Sequence, residues 1–151
     1  MRRFIGTSVV LAFTTLVMGG VAAPALAAPG TRVAFVVDVP FSGTETIVVS
    51  SIPGCASGTV TTTGDAAFNG PIGRFFGTKV FDCGSSGTFT LAYNANTFFC
   101  TPTDSGTWKI VEGTGDYAGM TGQGLLTGTF FGGDSCGAEG VLDSYTGTLR
   151  L

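Results

Sequence analysis

From residue 31 onward, apolar and polar side chains alternate in short runs. Val33, Phe35, Val37 and Val39 share one side of an extended segment, while Arg32, Ala34, Val36 and Asp38 share the other. Phe89, Leu91 and Tyr93 alternate with Thr88, Thr90 and Ala92, and Val141, Tyr145, Leu149 and Leu151 with Ser144, Thr146, Thr148 and Arg150. A period of two marks strands with one buried face, because successive side chains point to opposite faces of a sheet. No window carries the sustained 3.6-residue spacing of an amphipathic helix. Gly, Ser, Asn and Asp punctuate the runs. The pattern predicts strands over 31–40, 44–52, 57–63, 73–82, 86–94, 97–101, 106–112, 121–131 and 140–151, with a loop at 132–139. About eight or nine short, closely spaced strands imply an all-β chain. It is expected to form a single antiparallel β-barrel of about eight strands, with a β-sandwich as the alternative.

Three Phe pairs interrupt the alternation: Phe75-Phe76, Phe98-Phe99 and Phe130-Phe131. Each pair points to both faces of a strand. One ring enters the core, and the other needs a cover, either a loop or a second copy of the chain in a homo-oligomer.

The first 27 residues differ in kind. Two arginines at positions 2 and 3 precede an uncharged apolar run over 4–18, and Ala25-Leu26-Ala27 has the A-x-A form of a cleavage site. This is the layout of a secretory signal peptide, with cleavage expected after Ala27 and one secreted domain over 28–151. Its apolar run is too short for a membrane anchor. Without those two arginines the chain keeps five basic and ten acidic residues, a net charge of −5. No later segment reaches about 18 consecutive apolar residues, so no membrane-spanning helix is expected.

Composition removes several function classes. The 151 residues include no His, so Ser-His-Asp and Cys-His catalysis and imidazole metal sites are out of reach. Few basic residues and an acidic balance argue against a nucleic-acid partner. The acids lack Ca²⁺-loop spacing, so neither a metal nor a cofactor is inferred. Cys55, Cys83, Cys100 and Cys136 form an even set with no C-x-x-C pair, which in an exported chain reads as two disulfides. Four cysteines allow three connectivities.

The segment from Gly106 reads Gly-Thr-Trp-Lys-Ile-Val-Glu-Gly-Thr-Gly-Asp-Tyr-Ala-Gly-Met-Thr-Gly-Gln-Gly, ending at Gly124. With Phe81-Asp82-Cys83-Gly84 upstream and Asp143-Ser144-Tyr145-Thr146-Gly147 near the end, it resembles small secreted barrel proteins of high-GC Gram-positive bacteria. Those in turn resemble the allene oxide cyclase and dirigent barrels. The resemblance spans about half of the secreted chain, residues 81–151, and implies a calycin-like barrel. It also implies a pairing, Cys55–Cys83 with Cys100–Cys136, because Cys55-Ala56-Ser57-Gly58-Thr59 matches a Cys segment that precedes Phe-x-Cys in that family. By analogy, a hydrophobic cavity with a few carboxylates would steer a reactive substrate. Gly113 and Gly115 are expected to take positive φ in the turn, and Tyr117 to plug a barrel end and bond a backbone group.

Two carboxylates are the candidate catalytic groups. Period-two counting places Glu112 on the face of Trp108 and Ile110, and Asp143 on the face of Val141 and Tyr145. A carboxylate on an apolar face is suited to general acid-base work or ligand orientation. Both also lie near strand ends, where the plain reading is a solvated group. Asp65, Asp104, Asp116 and Asp134 adjoin Gly, Ser or Thr, Asp82 lies two residues before Gly84, and all five read as turn residues. Phe89, Leu91, Tyr93, Trp108, Ile110 and Tyr145 are the candidate cavity lining. The leading function is a barrel that binds a small hydrophobic ligand or an envelope partner. The alternative is a cofactor-free cyclase or isomerase acting on a hydrophobic substrate. The secreted protein is expected to begin at Ala28 and to weigh four hydrogens less than its reduced form, which N-terminal sequencing and intact mass will check.

Overall fold

The computed structural model describes residues 29–151. The leader expected over 1–27 lies outside them. Eight strands follow one another: β1 (Thr31–Pro40), β2 (Glu45–Ser50), β3 (Thr59–Asn69), β4 (Ile72–Asp82), β5 (Thr88–Phe98), β6 (Thr103–Gly113), β7 (Thr121–Phe131) and β8 (Gly140–Arg150). Each pairs antiparallel with its sequence neighbour, and β8 returns to β1 through ten residue pairs, from Thr31 opposite Leu149 to Pro40 opposite Gly140. That last ladder closes the barrel and sets the sandwich aside.

The expected boundaries shift most at β5, β3 and β6, the last of which begins at Thr103 and not at Gly106. The strands expected over 86–94 and 97–101 are one element, β5, because Asn94 and Asn96 do not turn the chain. Asn94 sits within the ladder between Phe76 and Thr107, and its side-chain oxygen accepts a hydrogen bond from Arg74 Nε at 2.9 Å. The turn falls later, at 99–102, where Cys100 takes a left-handed φ of 57°. The strand expected over 57–63 runs on to Asn69.

The barrel has two unlike halves. Around the connections β2–β3, β4–β5 and β6–β7 the interior is packed solid. Phe35 stacks on Tyr145 with centroids 4.6 Å apart, and Phe81 stacks on Phe89 at the same distance. Trp108 meets Phe35 edge-on at 5.6 Å. Burying one such ring contributes about 1.5–3 kcal/mol, and each aromatic pair adds about 0.5–1.5 kcal/mol. Tyr117 plugs this end and its hydroxyl donates to the Pro53 carbonyl at 3.0 Å. Gly115 takes the expected positive φ; Gly113 does not, and is required because a Cβ there would meet the Tyr117 backbone. The disulfide Cys55–Cys83 ties the β2–β3 loop to the end of β4.

At the opposite end, Cys100–Cys136 joins the β5–β6 turn to the β7–β8 loop. The two bridges are those implied by the family resemblance. Ser135 reinforces the second one: its amide donates to the Thr101 carbonyl at 3.0 Å, and its hydroxyl to the Phe98 carbonyl at 3.0 Å. In the chain-entropy treatment, loops of 28 and 36 residues give roughly 3.5–4 kcal/mol per bridge.

One register is nearly bare. β2 and β3 share only the pairs Glu45–Val60 and Thr46–Thr59, while β3 and β4 pair along their whole length. Among the described residues, no strand pairs with 61–69 of β3 on its β2 side.

Trp108 covers a glycine pair in the wall. Gly124 and Gly147 face one another across β7 and β8, and the Trp108 indole N–H donates to the Leu125 and Thr146 carbonyls at 3.1 and 3.3 Å. A Cβ on Gly147 would meet the Gln123 carbonyl and the Trp108 ring. Gly147→Ala is therefore expected to cost about 2 kcal/mol, read as a lower urea midpoint with an unchanged slope.

Candidate functional site

The packed half ends at a charged layer. On β4, Gly73, Phe75, Gly77, Lys79 and Phe81 face inward, so the alternation itself carries a lysine into the barrel. Lys79 is only 2% exposed. Its ammonium donates to Thr62 Oγ1 at 2.8 Å and to Glu45 Oε2 at 3.0 Å, and lies 3.4 Å from Asp143 Oδ2. Thr62 in turn donates to Glu45 Oε2 at 2.7 Å, and the Tyr145 hydroxyl donates to Asp143 Oδ2 at 3.0 Å. The ammonium thus makes two hydrogen bonds and one further ion pair with the barrel's own oxygens. A buried ammonium without such partners would carry a penalty of several kcal/mol.

A cavity of about 190 Å³ lies above this layer. Lys79, Thr62, Tyr93, Asp104 and Asp143 supply its polar lining; Val39, Ala95, Leu126, Val141 and the rings of Phe41, Phe75 and Phe130 supply the rest. Three of these rings, Phe41, Phe75 and Phe130, also line an adjoining hollow of about 400 Å³ at the rim, beside Phe68 and Phe99. The rim is strongly apolar: Phe41, Phe68 and Phe98 are each about 60% exposed. Of the Phe pairs, Phe75 and Phe130 turn inward. Phe76 lies outside, under the Arg74 guanidinium at 5.5 Å, and Phe131 packs near Gly140.

The six expected lining residues divide. Tyr93 lines the cavity. Phe89, Leu91, Trp108 and Tyr145 are buried in the packed half, with Ile110 against them, and none of the five lines this cavity.

The two candidate carboxylates also part company. Asp143 faces the cavity and is nearly buried. Glu112 is exposed on the outer wall, where Thr90 Oγ1 donates to it at 3.1 Å. The cause is a register shift in β5–β6. Thr90 opposes Glu112 and Leu91 opposes Ile110, so Val111 is an extra residue, and the bulge reverses the facing of the residues beyond it. Glu112 and Asp143 therefore share no space.

Asp104, expected in a turn, lies within β6 and faces inward. Its Oδ1 accepts the Gly128 amide at 2.7 Å. Burial, and next the Asp143 charge, push its pKa up to about 6, against the pull of the Gly128 amide and Lys79. Burial also raises Asp143, opposed chiefly by Lys79 and by the Tyr145 hydrogen bond. The Tyr145 hydroxyl is pushed well above its ordinary value by burial and by Asp143, so it stays a donor. Lys79, Glu45 and Asp104 were absent from the sequence-derived site. For Lys79 the signal existed, since it shares its face with Phe75 and Phe81.

No family model matches this chain, and searches of curated proteins and of solved structures find no match either. The eight-strand antiparallel barrel agrees with the fold implied by the allene oxide cyclase and dirigent resemblance; the kinship itself gains no relative.

Asp104 binds its proton more tightly in the folded chain than unfolded. Its contribution is fully present below about pH 4 and is lost as pH rises through about 6. Two pKa units discounted for partial exposure are worth about 1–2 kcal/mol, or roughly 4–8 °C in Tm. Asp104→Asn is expected to flatten the fall in Tm between pH 4 and 6.5, followed by circular dichroism.

Proposed function

We propose that this chain is a secreted barrel that holds a small, mainly apolar ligand at its open end. The observation that carries the reading is the cavity: apolar and aromatic walls, a few convergent polar groups, and a mouth ringed by exposed Phe. That mixture is typical of small-molecule sites, which usually enclose about 300–1000 Å³. The inner cavity alone is smaller, and the adjoining rim hollow brings the space into that range. Eight-stranded barrels have room for one small ligand when side chains leave part of the interior open. Two disulfides are consistent with an extracellular location, and the leader-like segment over 1–27 supports export.

A second reading, a cofactor-free cyclase or isomerase, draws on Asp104 and Asp143. A carboxyl group with a pKa of about 6 inside an apolar cavity is suited to proton transfer near neutral pH. The two readings separate on turnover: in the first, the ligand leaves as it entered.

Native mass spectrometry of the protein from its own host is expected to show a non-protein adduct. Ala95, buried at the cavity wall, is the place to block it. Ala95→Leu should weaken retention about five-fold or more, since overpacking costs on the order of 1–3 kcal/mol. An adduct that survives this substitution unchanged places the ligand elsewhere and defeats the reading.

A further inference from the structure

The floor of the cavity has an imbalance between donors and acceptors. Lys79 donates to Thr62 and Glu45 and is ion-paired with Asp143 at 3.4 Å, so its ammonium is engaged by the protein's own oxygens. The Tyr145 hydroxyl is committed to Asp143, and that of Thr62 to Glu45. On the acceptor side, Asp104 uses Oδ1 for the Gly128 amide and Asp143 uses Oδ2 for Tyr145 and Lys79. Among the described residues, Asp104 Oδ2 and Asp143 Oδ1 receive no hydrogen bond, and both carboxylates line the cavity. Asp143 is only 5% exposed, and its free oxygen is not among the sealed, unpartnered side-chain atoms, so a group entering the cavity can reach it. Three carboxylates, Glu45, Asp104 and Asp143, stand around one ammonium.

On the reading that this cavity holds a ligand, we propose that the ligand is an amine: an apolar body carrying a basic nitrogen, whose ammonium rests on Asp104 and Asp143. Among the polar lining residues the Tyr93 hydroxyl is the one uncommitted donor, and the ligand brings further donors and the positive charge that offset three carboxylates against one ammonium. Its apolar body lies against Phe41, Phe75 and Phe130, whose ring faces also favour an organic cation. A hard metal ion suits the site less. Ca²⁺ takes about six to eight oxygens, whereas the cavity offers Thr62, Tyr93, Asp104 and Asp143, with Thr62 already engaged and Lys79 adjoining.

The charge state of Asp104 gates the site. The groups facing it are Asp143 from β8, Lys79 from β4, and Tyr93 from β5, with Glu45 of β2 behind Lys79. Asp104 is ionised above about pH 6 and protonated below it. Amine binding is therefore strongest at neutral pH and weakens on acidification.

The test compares 1-naphthylmethylamine, 1-naphthylmethanol and 1-naphthoic acid, three probes of one body and different heads. They are titrated calorimetrically into the protein with both disulfides formed. At pH 7.5 the amine should bind about ten-fold or more tightly than the alcohol, the worth of one charge-assisted hydrogen bond, and the acid should bind weakest. Asp104→Asn keeps the acceptor for Gly128 and removes the negative charge, so it should weaken the amine about ten-fold and abolish its lead over the alcohol. Shifting the unsubstituted protein to pH 5 should act in the same direction and requires no variant to fold. The proposal is overturned if the alcohol equals the amine, if the preference survives Asp104→Asn, or if calcium chloride displaces the amine. Equal binding of all three leaves the ligand-holding barrel standing, whereas binding of none defeats both readings.

Discussion

A buried ammonium decides how the interior of this barrel is divided. Lys79 sits on an inward face where its neighbours are Phe75, Gly77 and Phe81. Once there, it must be met by oxygen on every side, and Thr62, Glu45 and Asp143 come from three other strands to do so. That layer cannot be packed with rings. Below it, Phe35, Phe81, Phe89, Trp108 and Tyr145 close the interior; above it, smaller and half-buried side chains leave space. The cavity and its polar floor thus follow from a single position in β4.

The wall was more legible in the sequence than the site. Alternation in β1, β5 and β8 follows directly from residue type, so their inward faces were readable from Val33 to Val39, Phe89 to Tyr93, and Val141 to Leu149. Asn94 and Asn96 misled because the turn preference of Asn is local, whereas the ladders to β4 and β6 are not. Glu112 misled for a related reason: a bulge at Val111 depends on what lies opposite it, which no count along one strand contains. Asp104 was hidden by its neighbours, Thr103, Ser105 and Gly106, which look like a turn and are the start of β6. The interior charges sit on four different strands, and their meeting is a property of closure, not of spacing.

The disulfides act on opposite ends with different effects. Cys55–Cys83 secures the end that Tyr117 plugs, where the core is already dense. Cys100–Cys136 secures the end that carries the exposed rings, where little apolar burial is available to hold the loops. Ser135 and Thr101 add backbone bonds at the same place, so one side of the mouth is a braced arch.

The thin ladder between β2 and β3 gives this cylinder a grain. Six of its eight seams are long zippers, β1–β2 is held by four residue pairs, and β2–β3 by two. A tube built this way does not breathe evenly; it yields first along the weakest seam, as a rolled sheet of paper opens along its overlap. Among the described residues, the upper part of β3 is held to the barrel through β4 alone. Thr62 lies on that stretch and Glu45 borders the same seam, so the two strands with the least pairing between them also supply two of the oxygens around Lys79. The weakest seam of the wall and the charged floor of the cavity are built from the same residues.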